Sequence, residues 1–162
     1  MTSPNIVFGT DGWRAIIGQD FSSQNVQLCA QGVADYILKN NLGSKGMVVG
    51  YDTRFGSKAF ANDVAQVFAA NQIPVFLSSN FAPTPVISYN VITLKAAGAV
   101  IITASHNAAQ WNGFKVKSQH GGSASVDVIN EIENNIREFI SDGKTPKLIS
   151  LEQGKTLKLI QY

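Results

Sequence analysis

Thr103-Ala104-Ser105-His106-Asn107 sets a hydroxyl, an imidazole and an amide in three consecutive residues, and Asn112-Gly113-Phe114-Lys115 follows closely. A Ser held rigidly beside a Lys can act as a nucleophile or phosphate carrier, with the Lys as its base or charge partner. Ser, His and Asn are also common turn formers, so the same residues can do no more than shape a loop. Two further stretches offer groups suited to phosphate. Gly9-Thr10-Asp11-Gly12 sets two glycines around a turn, where backbone N–H groups can approach an anion, and Arg14 adds a positive fork. As residue types alone these equally describe a surface turn with a solvated Arg. Asp52-Thr53-Arg54 leaves two readings open: Arg54 as a phosphate or active-site contact, or Asp52 and Arg54 paired to brace the turn.

Each of these stretches needs an element to hold it. Ala99-Val100-Ile101-Ile102 reads as a buried strand that delivers Ser105, and loops after strands in open α/β sheets are where ligands bind. Asn5 to Phe8 is expected to be a first strand leading into the glycine turn, and Met47 to Tyr51 a strand leading into Asp52. Between them, Ser22 or Ser23 caps a helix to about Asn40, with Val26, Cys29, Ala30, Val33, Ile37 and Leu38 on one face. Ser57 is expected to cap a second helix to about Asn71 with Phe60, Val64, Val67 and Phe68 inward. Ile73 to Leu77 makes a third strand, and Pro74 belongs at its start or on an edge. Pro85 suits the first turn of a helix ending near Leu94. After the Ser loop, Phe114 to Lys117 alternates as a strand and Gly121-Gly122 turns. Ser123 or Ser125 then caps a last helix with Val128, Ile129, Ile132, Ile136, Phe139 and Ile140 in a stripe. Asp127, Glu131 and Glu133 lie toward its N-terminal half, where the helix dipole favours them. Strands alternating with helices predict a three-layer α/β/α domain with a mostly parallel mixed sheet over residues 1–143. Residues 144–162 show no strong period and are expected to be a tail or linker toward an absent next domain.

Composition narrows the function classes. The 162 residues are 44% hydrophobic and 15% charged with a net charge of +2, which suits one folded domain. So small a charge, with no stripe of Lys and Arg, argues against nucleic acid or a membrane as partner. The single Cys29 excludes an internal disulfide and a Cys-rich metal site. Met1 to Asn5 lacks the basic and apolar regions of a signal peptide, and the apolar run Ala96 to Ala104 is too short to span a bilayer, so a cytoplasmic protein is expected. An NTPase reading fails as well. Gly50 to Gly56-Ser57-Lys58 is one residue too long for a P-loop, and its Ser precedes the Lys.

Three motifs together resemble the α-D-phosphohexomutases, the family of phosphoglucomutase, phosphomannomutase and phosphoglucosamine mutase. Thr103 to Asn107 with Asn112, Gly113 and Lys115 is similar to the family's phosphoserine signature, Thr-Ala-Ser-His-Asn-Pro followed by Asn-Gly-x-Lys. Phe8-Gly9-Thr10-Asp11-Gly12-Trp13-Arg14 resembles its N-terminal motif, and Gly50-Tyr51-Asp52-Thr53-Arg54 its Gly-x-Asp-x-Arg. The order and spacing match, and the likeness covers nearly the whole chain as the first of four domains. Two departures stand out: Ala15 replaces a Gly, and Ala108 replaces the Pro after His-Asn, which frees a φ angle without losing a reactive atom.

The resemblance implies a phosphoryl relay. Phosphorylated Ser105 gives its phosphoryl group to a hexose monophosphate, and a hexose 1,6-bisphosphate turns over and returns its other phosphate. By position, Arg14 reaches the phosphoserine, Lys115 is the proton-transfer partner with its pKa lowered by cationic neighbours, and His106 is a phosphate-side donor. Arg54 and Asn107 are assigned to substrate or phosphate binding, Asn107 bracing the loop. Mg²⁺ is expected to touch Ser105 through its phosphate, with its other ligands in an absent Asp-rich loop, since Asp11-Gly12 and Asp142-Gly143 continue as Trp and Lys. The remaining mutase domains are the expected partners, and without them no turnover of hexose phosphate is expected. Asp11 and Trp13 lean toward glucose or mannose phosphates. The alternative is a stand-alone phosphate-binding or interaction domain that kept the fold without the chemistry.

Overall fold

The computed structural model describes residues 6–162. Six strands form one sheet in the order β1-β5-β4-β2-β3-β6. Met47–Tyr51 (β2), Val75–Leu77 (β3), Gly98–Ile102 (β4) and Ile160–Gln161 (β6) run parallel to their neighbours among themselves. Trp111–Lys117 (β5) runs antiparallel to β4, and Trp13–Ile16 (β1) antiparallel to β5. The α/β class with a mixed, mostly parallel sheet is therefore as the sequence predicts.

Strand parity sorts the core. Val100 and Ile102 of β4 join a large apolar cluster with Val26, Val33, Val64 and Phe68 from Ser23–Lys39 (α1) and Ser57–Ala70 (α2). Ala99 and Ile101, the alternate residues, pack with Ile87 and Val91 of Thr84–Thr93 (α3) on the other face. Val126–Ser141 (α4) seals α1 with Ile132 and Ile136. Phe21 is fully buried, stacked on Trp13 at 4.9 Å and edge-on to Phe60 at 4.9 Å. Because α2 and α3 lie on opposite faces, the chain reverses its winding between β2 and β4. The crevice at their carboxyl ends is the place where such sheets bind ligands.

Several local expectations change. No strand forms over Ile6 to Phe8, and Asn5 and the N-terminal residues before it lie outside the described residues. Phe8 is instead anchored by its ring against Phe114 and by its N–H, which donates to Glu133. The first strand comes after the glycine turn, where Trp13 and Ala15 alternate inward. Leu38 is 43% exposed, since it falls one step past the buried face that ends at Ile37. Ser22 and Ser125 cap α1 and α4 as expected. Gly56, not Ser57, is the N-cap of α2, and the Ser57 hydroxyl turns inward to Asp52. Val128, Ile129, Phe139 and Ile140 are only half-buried, so α4's stripe is sealed at its centre. Residues 144–162 also hold more structure than a tail. Leu151–Thr156 (α5) is capped reciprocally by Ser150 and Gln153, and β6 extends the sheet beside β3 with Ile160 buried. No helix among the described residues is long and apolar enough to cross a membrane.

Candidate active site

Ser105 lies three residues beyond the end of β4 and is exposed. Its backbone is left-handed, at φ 56°, a conformation that costs a non-glycine residue about 1–2 kcal/mol. The flanking peptide groups are tied on both sides. The Ser105 N–H donates to Thr103 Oγ1 at 3.0 Å, and its carbonyl accepts from Arg54 Nη2 at 2.9 Å. The Asn107 N–H closes the turn onto the Ala104 carbonyl at 3.1 Å.

Arg54 is the hub of this loop. Besides Ser105, its guanidinium donates to the carbonyls of Asn107 (2.5 Å), Ala108 (2.9 Å) and Trp111 (3.0 Å). Its Nε lies 3.4 Å from Asp52 Oδ2. Four of the five guanidinium N–H groups thus donate to backbone carbonyls, and the Nε side is ion-paired with Asp52. Asp52 is fixed in turn by the Arg54 N–H and by Ser57 Oγ, and Ser57 Oγ accepts from the buried Asn112 Nδ2 at 2.9 Å. Of the two readings open for Arg54, this geometry favours bracing. The loop after β2 and the loop after β4 are clamped together across the crevice.

On the other side lies the glycine turn. Gly12 has φ 104°, and a Cβ there would sit 2.5 Å from the Phe114 carbonyl, so only glycine lets the turn lie on β5. Gly113 is as tightly held, with the Thr103 carbonyl 2.5 Å from where its Cβ would be. Arg14, paired in register with Gly113, donates from Nη1 to Asn107 Oδ1 at 2.8 Å. Its remaining N–H groups have no partner among the described residues. His106 Nδ1 is 3.5 Å from Ser105 Oγ, at the outer limit of hydrogen bonding, and the ring is exposed.

Lys115 is buried, and its Nζ meets Asp11 Oδ2 at 2.5 Å. Its charged neighbour is therefore an anion rather than the cations that the resemblance led us to expect. Lys117, also buried, reaches Asp11 Oδ1 at 3.3 Å and Ser123 Oγ at 3.1 Å. Burial alone would raise the Asp11 carboxyl. The hydrogen bond from Lys115, the charges of Lys117 and Lys115 and the bond from Ser123 outweigh it and hold the carboxyl below its usual value. Asp11, Lys117 and Ser123 are not among the site residues read from the sequence, where Ser123 is only a candidate helix cap. The i, i+2 spacing of Lys115 and Lys117 on one strand face was the available signal for Lys117, whereas nothing local pairs either with Asp11.

These residues do not compose a Mg²⁺ site by themselves. Among the described residues no three His, Cys, Asp or Glu side chains gather around one point, and Asp11 is occupied on both oxygens. A phosphate on Ser105 would supply one ligand.

Residues 5–141 match the family profile of phosphoglucomutase/phosphomannomutase, alpha/beta/alpha domain I. The chain belongs to this family. A phosphoglucomutase of Staphylococcus saprophyticus is 35% identical over 150 residues, covering 91% of this chain and 26% of that protein. A phosphopentomutase of Homo sapiens is 34% identical over 150 residues, covering 86% of this chain and 24% of its own. The crystal structure of a Thermus thermophilus protein provisionally named as a phosphomannomutase superposes with a TM-score of 0.83. It is 34% identical, over 93% of this chain and 32% of that one. The chain thus spans about a quarter of the length of the phosphoglucomutase and the phosphopentomutase. As domain I of this family, the chain presents the Ser105 loop on the clamp just described, while its relatives differ in the sugar they are named for.

Proposed function

We propose that this chain is the phosphoserine-bearing domain of a mutase that interconverts the 1- and 6-phosphates of a hexose, glucose and/or mannose. The observation that carries the reading is Ser105 itself. Its hydroxyl stands exposed at the end of β4, on a left-handed backbone fixed by Arg54 and Thr103. In the proposed relay the Ser105 Oγ–P bond breaks as a sugar hydroxyl forms its own bond to phosphorus. Lys115, an ammonium beside Asp11, protonates Ser105 Oγ as it leaves, and the amine so formed takes up the proton of the sugar hydroxyl. In the return step the Ser105 hydroxyl attacks the other phosphate of the hexose 1,6-bisphosphate, Lys115 protonates the departing sugar oxygen, and the Ser105 proton restores the ammonium. Arg14 keeps unengaged N–H groups near Asn107 for the charge on the phosphoryl oxygens, and transfer of this kind depends on such positioning and neutralisation. His106, with its ring 3.5 Å from Ser105 Oγ, is assigned the phosphate-side donor role. Mg²⁺, which the family uses, would neutralise phosphate charge, with its other ligands supplied by a further domain. The remaining mutase domains are the partners this reading requires, and the family setting supports a cytoplasmic enzyme.

The test is intact mass with site mapping, before and after Mg²⁺ and glucose 1,6-bisphosphate. One added phosphate is expected at Ser105 and none in Ser105→Ala. If the complete gene product gains no phosphate, the relay is wrong and the phosphate-binding or interaction module becomes the better account.

A further inference from the structure

The mutase reading gives Lys115 a purpose and leaves its clustered neighbours Asp11, Lys117 and Ser123 without one. Lys115 ends in a flexible four-carbon stem with a compact, strongly hydrated charge, and such a group needs a partner to stay in one place. Among the described residues its Nζ has one hydrogen-bond partner, Asp11. Asp11 is in turn held by three groups, on both of its oxygens: Lys115 on Oδ2, and Lys117 and Ser123 on Oδ1. The backbone carrying Asp11 has little freedom either, because Gly12 lies against Phe114 and Lys115 and the Gly9 N–H closes the turn onto the Gly12 carbonyl at 3.0 Å. Two residues later in the same segment, Arg14 holds Asn107 in the Ser105 loop. One rigid turn therefore sets both the proton-transfer amine and a contact to the phosphoserine loop.

We propose that Asp11 is a positioning residue for phosphoryl transfer: it fixes the Lys115 amine relative to Ser105, and Lys117 and Ser123 fix Asp11. This rests on the mutase reading for Lys115. Lys117 is the buttress, since a lone Asp11–Lys115 pair, with Asp11 38% exposed, could swing into solvent. Both lysines are buried, with side chains 7% and 9% exposed, so their placement follows the carboxylate they share.

The experiment has two independent readouts on the complete gene product. The first is the ¹⁵N-ammonium NMR signal of Lys115, which needs no turnover. A hydrogen-bonded, buried ammonium is visible in the wild type and is expected to vanish in Asp11→Asn. The second is phosphoryl transfer. Asp11→Asn is expected to lower kcat roughly 100-fold, the scale of a misplaced reacting group, with KM nearly unchanged. Asp11→Glu keeps the charge balance of the buried lysines and so guards against failure to fold. It is expected to recover part of kcat. A Lys115 signal and a kcat that survive in Asp11→Asn overturn the proposal. So does loss of the signal with unchanged kcat, which would make the cluster a structural ion pair only. If the wild type shows the Lys115 signal but never phosphorylates Ser105, the mutase reading has failed first, and Asp11 has no transfer to position.

Discussion

At the scale of single residues, the proposed phosphate carrier is simple and its support is not. Ser105 contributes one hydroxyl, while Arg54 holds the carbonyls of Ser105, Asn107, Ala108 and Trp111. Lys carries three donors on a point charge and cannot span that fork. Arg54→Lys is therefore expected to cost about 1–3 kcal/mol in urea melts, through several lost hydrogen bonds of modest net value each. It should also speed amide exchange across residues 105–111 and slow phosphate uptake at Ser105. Unchanged exchange in that segment would show that the clamp does not hold the loop. Arg54 had two readings in the sequence because a Gly-x-Asp-x-Arg stretch shows the donors and hides their acceptors. Those acceptors lie more than fifty residues away in the chain, in the loop after β4.

At the scale of elements, the parallel core of the domain is plain in the sequence and its margins are not. β2 falls where its five residues predict, and β4 begins only one residue early, because apolar runs buried on both faces leave little choice of register. β6 is two residues long and has no pattern of its own to read. It exists because Ile160 fills a place beside β3 that α5 and α2 leave apolar. Ile160→Ala is expected to cost about 2–4 kcal/mol, the usual loss for a fully buried aliphatic side chain. Deleting residues 150–162 should leave β3 as a bare apolar edge and promote aggregation, read by light scattering. A truncated chain that stays monomeric with the same urea midpoint would show that this segment adds nothing to the domain.

At the scale of the molecule, two carboxyls pull its acid response in opposite directions. Asp11 is held below its ordinary value, so its contribution is present above the unfolded carboxyl value, about pH 4, and is lost as pH falls through the lower folded value. Asp35 is raised, mainly by burial against the opposing bond from Gln31 and charge of Lys144. Its contribution therefore improves as pH falls through its folded value toward the unfolded one. Urea melts from pH 7 to pH 3 are expected to show less acid destabilisation in Asp11→Asn than in the wild type, and more in Asp35→Asn. Parallel curves for all three proteins would remove both carboxyls from the account.

From the sequence alone came the α/β class, most helices and strands to within a few residues, and Ser105, His106, Arg14 and Lys115 as candidates. Periodicity and local motifs carry that information because neighbouring residues set each element and each turn. Only the tertiary structure decided which charges meet. It gave Arg54 to the backbone of the Ser105 loop, gave Lys115 an anion for a neighbour, and brought Lys117 and Ser123 to Asp11. It also put the first strand after the glycine turn and added a sixth strand at the far edge. Each of these depends on contacts between segments distant in the chain, where burial and hydrogen bonding, rather than local preference, select the partner.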